Sequence, residues 1–451
     1  MSTNGRRRGF PLIKPGLTYA TVTDQIAAIV QGGTRRGWLL LLVLFTTLAL
    51  LFLYTVTWVF VTGVGLLGIN IPVAWGFPLV NVVWWIGIGH AGTLISAILV
   101  LLRQPWRTSI NRFAEAMTIF AAGIAGLFPL IHLGRPGFFY WLLPYPDTMG
   151  LWPQWRSPLV WDFFAIATYI FVSLVFWYLG LLPDLAVMRD RAKKYWQKVS
   201  FGLLSLGWRN SARHWHHYRV AYLLIAALAT PLVVSVHSII ALDFAATIVP
   251  GYHTSLFPPY FVAGALFSGF AMVLTLAIPL RSAFKLQNLI TLRHFDIMAK
   301  VMLAAGLVVA YGYLMEYFMI WYNGDAFHRE HARFQTVGEF ASVFWTMIIC
   351  NVAIIQLLWL RRIRLNPPVL FAIAIVVNIG MWLERYLIVF SGPSHTYLPS
   401  ARDVQTGNAI DWMMFIGSLG LFFMLMLLFI RLLPAVSIHE VKELIHDREA
   451  G

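Results

Sequence analysis

Apolar residues in this chain come in unbroken runs of about 20, each closed by a short stretch of charged or turn-forming residues. The runs lie near 38–62, 79–102, 113–132, 159–182, 220–244, 261–280, 297–321, 338–360, 368–390 and 410–433. About 20 apolar residues in a helix cover the hydrocarbon core of a bilayer. Within that core each backbone N–H must find its partner inside its own segment, so the spans are read as helices. The pattern predicts an all-α integral membrane protein of ten transmembrane helices.

The connecting loops carry the topology signal. Alternate loops share a side, and one side holds 26 of the 33 Lys and Arg. The other has only Arg135, Arg156, Arg329, Arg333 and Arg402, while Lys300 and Arg385 fall inside spans. By the positive-inside rule both termini are cytoplasmic. Residues 1–37 then form a cytoplasmic N-terminal segment and 434–451 a cytoplasmic tail.

A weak internal repeat divides the rest. Gly92-Thr-Leu-Ile-Ser96 in span 2 is echoed by Gly264-Ala-Leu-Phe-Ser268 in span 6, and Asp162-Phe-Phe-Ala165 by Glu339-Phe-Ala-Ser342. Residues 79–244 and 261–390 are therefore read as two related four-helix bundles, spans 2–5 and 6–9. Helix 1 (38–62) and helix 10 (410–433) flank them. Four spans per unit make the repeat parallel rather than inverted.

Composition narrows the chemistry. The chain is 59% hydrophobic and 12% charged, far from the roughly 25% charged norm of soluble domains. The first apolar run lacks the short core and small-residue cleavage site of a signal peptide, so it reads as a retained anchor. A net charge of +14 spread over short loops is topological and does not point to nucleic acid. The single cysteine, Cys350, excludes internal disulfides, Cys-based zinc sites and Cys-ligated iron–sulfur clusters in this chain. Any redox metal is expected in another subunit.

Ionisable side chains inside spans cost about 2.5–3.5 kcal/mol each on insertion scales and so mark function. His132, Asp162, Asp243 and Arg385 fall at one depth, near the outer surface. Asp162 lies beyond Ser157 and Pro158, which already supply a cap and first-turn proline. Asp411 and Glu339, at span starts, read instead as caps or rim charges. His90 and His237 sit singly in their spans; neither helix repeats a ligand at a second depth, so core hydrogen bonding is preferred to haem ligation. Lys300, Tyr311, Tyr313 and Glu316 share spacings on span 7 that can line a proton path or a packed polar face.

The outer-side motifs Ile131-His-Leu-Gly-Arg-Pro136, Phe139-Tyr-Trp, Pro144-Tyr-Pro146, Arg156-Ser-Pro-Leu-Val-Trp-Asp162 and Gly380-Met-Trp-Leu-Glu-Arg385 together resemble the NrfD/PsrC family of quinone-interacting membrane subunits. The ends, Pro15 to Asp24 and Ser437 to Lys442, resemble the ActC branch found in alternative complex III. The resemblance implies a bacterial cytoplasmic-membrane protein with no haem or iron–sulfur cluster of its own. Its expected substrate is menaquinol or ubiquinol, bound near the outer (periplasmic) side. It implies His132 and Asp162 as the catalytic pair, with Asp243, Arg385, Arg135 and Tyr140 around the quinol. Lys300, Tyr311 and Glu316 are the candidate proton path, and no metal site is expected.

Quinol oxidation releases two electrons and two protons, so acceptors are needed beside the hydroxyls. Imidazole and a buried carboxyl both titrate in a useful range. Phe139, Tyr140, Trp141, Trp152, Trp155 and Trp161 can line an aromatic cleft, although Trp and Tyr gather at interfaces anyway. The leading expectation is the quinol-oxidising subunit of alternative complex III, with room for coupling to proton translocation. Its expected partners are an iron–sulfur/molybdopterin-like subunit, multihaem and monohaem cytochrome c subunits, a second NrfD-like membrane subunit and small membrane subunits. The alternative is the quinone-reactive anchor of a polysulfide reductase or other molybdoenzyme. A secondary transporter fits less well, because transporters interrupt helices at the midplane and here the polar groups gather at one surface.

Overall fold

The structure is a computed structural model that describes residues 11–33, 36–142, 153–249, 251–252 and 254–450. Among these residues every regular element is helical. Ten helical segments are long and apolar enough to span a bilayer. They are α2 (Arg36–Thr62), α3 (Gly76–Leu101), α4 (Asn111–His132), α5 (Pro158–Arg191), α7 (Ala212–Ala245), α8 (Phe257–Ala283), α9 (Leu292–Asn323), the segment Ala341–Trp359 that opens with α11 (Ala341–Ile348), α13 (Pro367–Ser394) and α14 (Ala409–Leu432).

The helices outrun the apolar stretches that announce them. Helix α5 continues nine residues past 182 and α7 begins eight before 220. Their charged extensions carry hydrogen bonds beyond the depth at which hydropathy reports. Span 8 is not one regular α-helix. After Ile348 it widens into a π turn, Ile349–Ala353, and then tightens to 3-10 geometry over Ile354–Trp359. Four shorter helices complete the chain: α1 (Tyr19–Gln31), α6 (Tyr195–Leu204), α10 (Ala326–Thr336) and α15 (Ile438–Ala450), with a single turn α12 (Arg361–Arg364).

Helices α3, α4, α5 and α7 pack in a closed ring, and α8, α9, the α11 segment and α13 form a second. The rings meet where α3 lies against α8 and α13. Helix α3 is the hub, buried over most of its length. Small residues permit that: a Cβ on Gly92 would sit 2.0 Å from the Ala114 carbonyl oxygen of α4. Lipid offers no hydrophobic drive for helix association, so close packing and interhelical hydrogen bonds must supply it. Three indoles do so from or toward α3. Trp84 donates to the Asn378 carbonyl (3.1 Å), Trp85 to Ser418 Oγ (3.0 Å), and Trp382 to Asn81 Oδ1 (3.2 Å).

Helices α2 and α14 lie side by side, and α14 fastens the pair to α4 and α3. Helix α1 turns Val22, Ile26, Ile29 and Val30 inward and packs on α14 and α15, so α1 and α15 lie at one end of the bundle. The Arg431 guanidinium caps α1, donating to the carbonyls of Ile29 and Gly32. The opposite pole is the far end.

Candidate functional site

Two helices deliver a carboxyl each to the far end. Helix α5 starts on the Ser157 N-cap and Pro158, which leaves Asp162 free to point inward from its second turn. Helix α7 brings Asp243 to the same level two residues before its end. Asp162 and Asp243 are 7% and 2% exposed, and their carboxyls face each other directly. Asp162 Oδ1 and both Asp243 oxygens lack a regular hydrogen bond to the protein. Like charges held close together away from water repel, so the arrangement is costly unless a partner completes it. Carboxyls held this way suit hydrogen-bonding to, and deprotonation of, a hydroxyl brought between them.

His132 ends α4 at the same pole. Its ring lies beside Trp75, with centroids 6.4 Å apart, and its Nδ1 is buried without a partner. Arg135, three residues on, is exposed, as is Tyr140 in the following 3-10 turn. The motif Pro144-Tyr-Pro146 and Trp152 lie outside the described residues.

Just inward of Asp162, a groove of about 390 Å³ runs between α5 and α7, lined by Trp155, Trp161, Phe164, Thr168, Leu232 and Ile239 among others. Trp161 is fixed there by donating to the Trp155 carbonyl at 2.7 Å. A second, mostly apolar cavity of about 460 Å³ is lined by Trp75, Leu79, Thr247, Tyr252 and Tyr397. Trp75 therefore contributes to this cavity as well as to the contact with His132.

Arg385, also expected around the ligand, lies on α13. It forms an ion pair with the adjacent Glu384, and its guanidinium lies 4.2 Å over the Phe261 ring. Glu384 also accepts from Tyr313, and Tyr313 in turn from Asn351 Nδ2 at 2.9 Å. Asn351 reaches inward from the π turn of span 8; such turns often mark functional or strained points. Glu384 lies within the Gly380–Arg385 motif but carries no periodic signal of its own.

The polar face read on span 7 is divided by the helix itself. Lys300 is mostly exposed and bound to Asp296 at 2.6 Å, and Tyr311 is 56% exposed on the outer wall. Glu316 is partly buried and Tyr313 faces the second ring. Eleven residues separate Lys300 from Tyr311, so both fall on the lipid side at 100° per residue, whereas Tyr313 is rotated toward the core. His90 and His237 meet edge to face with centroids 4.6 Å apart.

A buried ionic cluster at the terminal end escaped the sequence reading. Arg112 (0% exposed) pairs with Glu115 at 2.9 Å, Asp184 at 3.6 Å and Glu440 at 3.7 Å. The only sequence signal was the Arg112/Glu115 spacing at the start of an otherwise apolar span.

The fold and this site define a polytopic helical membrane protein with a buried acid pair at one pole and an aromatic groove between the same two helices. The chain matches the family described as polysulphide reductase, NrfD, over residues 65–395 and belongs to it. It is 25% identical to a putative dimethyl sulfoxide reductase membrane subunit of Halobacterium salinarum over 399 residues, covering 84% of this chain and 82% of that protein. It is 24% identical to a selenate reductase subunit of Mesobacillus selenatarsenatis over 385 residues, covering 81% and 86%. The chain is thus similar to membrane subunits of oxidoreductase complexes, in a family that interacts with quinones.

Proposed function

We propose that this chain is the quinone-reactive membrane subunit of a respiratory reductase, oxidising quinol at Asp162 and Asp243 and passing the electrons to an iron–sulfur subunit docked on the far end. The carrying observation is the facing acid pair with unsatisfied oxygens beside an aromatic groove. One hydroxyl of a quinol ring can meet such acceptors, and its isoprenoid tail suits the groove between α5 and α7. The loop charges support a reading in which the far end is the outer face of the membrane. The relatives' names favour a terminal reductase of the dimethyl sulfoxide or selenate type, in which the catalytic partner is a molybdoenzyme.

The roles follow from position. The acid pair accepts the first proton as the quinol O–H bond breaks, and His132, with its free Nδ1, is placed to orient or relay the second. Arg135 and Tyr140, on the exposed turn above, would contact the partner or the edge of the ring.

A second reading, the quinol-oxidising subunit of alternative complex III, rests on one observation. The two terminal segments that resemble that branch lie outside the family match and pack together as α1 and α15. Affinity purification of the tagged chain separates the two. Copurification of a molybdopterin subunit supports the first reading, whereas multihaem and monohaem cytochromes c with a second NrfD-like subunit support the other. Recovery of neither set, or quinol-dependent reduction unaffected by Asp162→Asn, overturns the proposed role.

A further inference from the structure

At the terminal end the chain joining α5 to α7 is strongly basic. From Arg189 to Arg219 eight residues are Lys or Arg and one, Asp190, is acidic. That acid is already paired with Arg189 at 2.8 Å. Helix α6 lies in this stretch and does not project away from the bundle. Tyr178 of α5, inside the apolar run 159–182, donates to the Leu204 carbonyl at 2.6 Å, so α6 folds back along the membrane part of α5. Phe201 is buried against the protein. On the other side Trp196, Val199 and Leu203 recur at i, i+3 and i+7, an exposed apolar stripe that Leu206 continues past the helix end. Leu203 is 72% exposed and Leu206 70%. A short helix with such a stripe, and with Lys194 and Lys198 off it, has the form of one lying in the headgroup boundary of an anionic leaflet.

The turn after α6 is held by its neighbours. Leu206 and Asn210 have φ of 47° and 58°, values that side-chain-bearing residues seldom adopt. The Trp208 carbonyl accepts from Arg189 at 3.0 Å, and Asn210 Oδ1 from the Trp215 indole at 2.6 Å. The turn brings Arg209 to a cavity of about 790 Å³ between α5, α7 and α15, whose lining also includes Arg219 and Lys442. Two acids of the lining are already occupied, Asp190 by Arg189 and Glu440 by Arg107 at 3.0 Å. Arg219 reaches Glu443 only at 4.0 Å with both side chains mostly exposed, a pair that neutralises little charge. Among the described residues Arg209 and Lys442 have no ion pair. Burial and the nearby Arg191 push the Lys442 ammonium below its ordinary value, with Asp184 opposing; an anion among the three cations would offset both effects. The cavity also runs toward lipid. Leu223, one turn beyond Arg219 on α7, is part of its wall, and exposed Leu224 and Leu228 follow it in the apolar run 220–244. A free anion has no use for that wall, whereas a phospholipid sets its phosphate among the cations and its acyl chains on the leucines.

We propose that this cavity binds the phosphate of an anionic phospholipid of the cytoplasmic leaflet, held by Arg209, Arg219 and Lys442, with acyl chains descending along α7 from Leu223 and α6 lying in the same leaflet beside it. The inference rests on the topology read from the loop charges and is independent of the quinone reading. Arg209 comes from the α6–α7 turn, Arg219 from α7 and Lys442 from α15. The bound lipid therefore ties the C-terminal helix to the first ring.

The test uses the intact complex with the full chain, stripped of lipid in detergent and titrated with phosphatidylglycerol in mixed micelles. Bound lipid is counted by mass spectrometry after gel filtration, and hydrogen exchange is followed across Ile438–Ala450. Phosphatidylglycerol should be retained and should slow exchange in α15, while phosphatidylcholine, inorganic phosphate and glycerol 1-phosphate should do neither. A basic residue at an anionic surface is worth roughly fivefold in affinity, so Arg209→Gln should raise the half-saturating concentration about fivefold and the triple variant with Arg219→Gln and Lys442→Gln roughly a hundredfold. Arg209 has no ion pair in the fold, so its single variant decides the matter even if the triple variant fails to assemble. Arg361→Gln with Arg362→Gln, two exposed cations of another loop on the same side, should change nothing. Unaltered phosphatidylglycerol binding in Arg209→Gln, or equal binding of phosphatidylcholine, overturns the inference. So does equal protection by inorganic phosphate, which makes the cavity a free-anion site, or an equal loss in the Arg361/Arg362 variant, which reduces the effect to general surface charge. A lipid-free complex in which another subunit fills the cavity overturns it as well.

Discussion

The two helix rings each bury a charged pair, and the pairs have been finished differently. In the first ring Asp162 and Asp243 face each other with three carboxyl oxygens unsatisfied. In the second, both Glu384 oxygens are taken, one by Arg385 and one by Tyr313, and Asn351 holds the tyrosine. A buried polar network that is satisfied rigidifies its surroundings, while an unsatisfied one is expensive and persists where a ligand completes it. One ring leaves its acid oxygens without protein partners, and the other binds its acid into a network between helices.

The largest effect should come from closing the open pair. Asp162→Asn and Asp243→Asn keep size but remove a titrating carboxyl. Quinol-dependent reduction, normalised to assembled complex, should fall about 100- to 10,000-fold, the usual worth of a positioned acid or base. Thermal stability in detergent should hold or rise, because an acid pair has been relieved. Near-native turnover in both variants would erase the distinction between the rings.

Next comes the locked pair. Glu384→Ala strands the Arg385 guanidinium, which is 3% exposed, and breaking a buried pair typically costs about 3–5 kcal/mol. The measurement is the loss of folded protein against temperature, and turnover per surviving complex should change little. A selective loss of turnover would move Arg385 back to the quinone site.

A smaller effect is expected where the second ring is tightest. A Cβ on Gly380 would lie 2.2 Å from Asn351 Oδ1 and 2.5 Å from Cys350 Cβ. Gly380→Ala should therefore destabilise by about 1–3 kcal/mol through overpacking, with the first ring's chemistry preserved. The smallest concerns Asp411. It is more than a rim charge: 1% exposed, it closes the capping box of α14 with Asn408 and accepts from the Gly68 N–H at 2.8 Å. Asp411→Asn should cost about 1 kcal/mol of stability, and turnover per complex should match the parent.

Ten helices and their approximate positions were legible in one dimension because lipid imposes a length and a polarity on every span. Asp162 also stood out, since it lies past Ser157 and Pro158 and is buried one turn into its helix. Rotation about each helix axis was not legible in the same way. The runs are apolar all round, so no stripe tells which residues face the ring, and Lys300 and Tyr311 were indistinguishable from Tyr313 until packing turned them to opposite sides. Partnership was hidden for the same reason. Arg385 shares its depth with Asp243, yet the neighbouring Glu384 and the Phe261 ring across the helix interface claimed it. The buried ion cluster needed Glu440 from the tail to meet Arg112 over 300 residues earlier, a contact that no local pattern encodes. Depth in the membrane is a property of sequence position, whereas facing and pairing depend on how the rings close, and only the tertiary structure decided those.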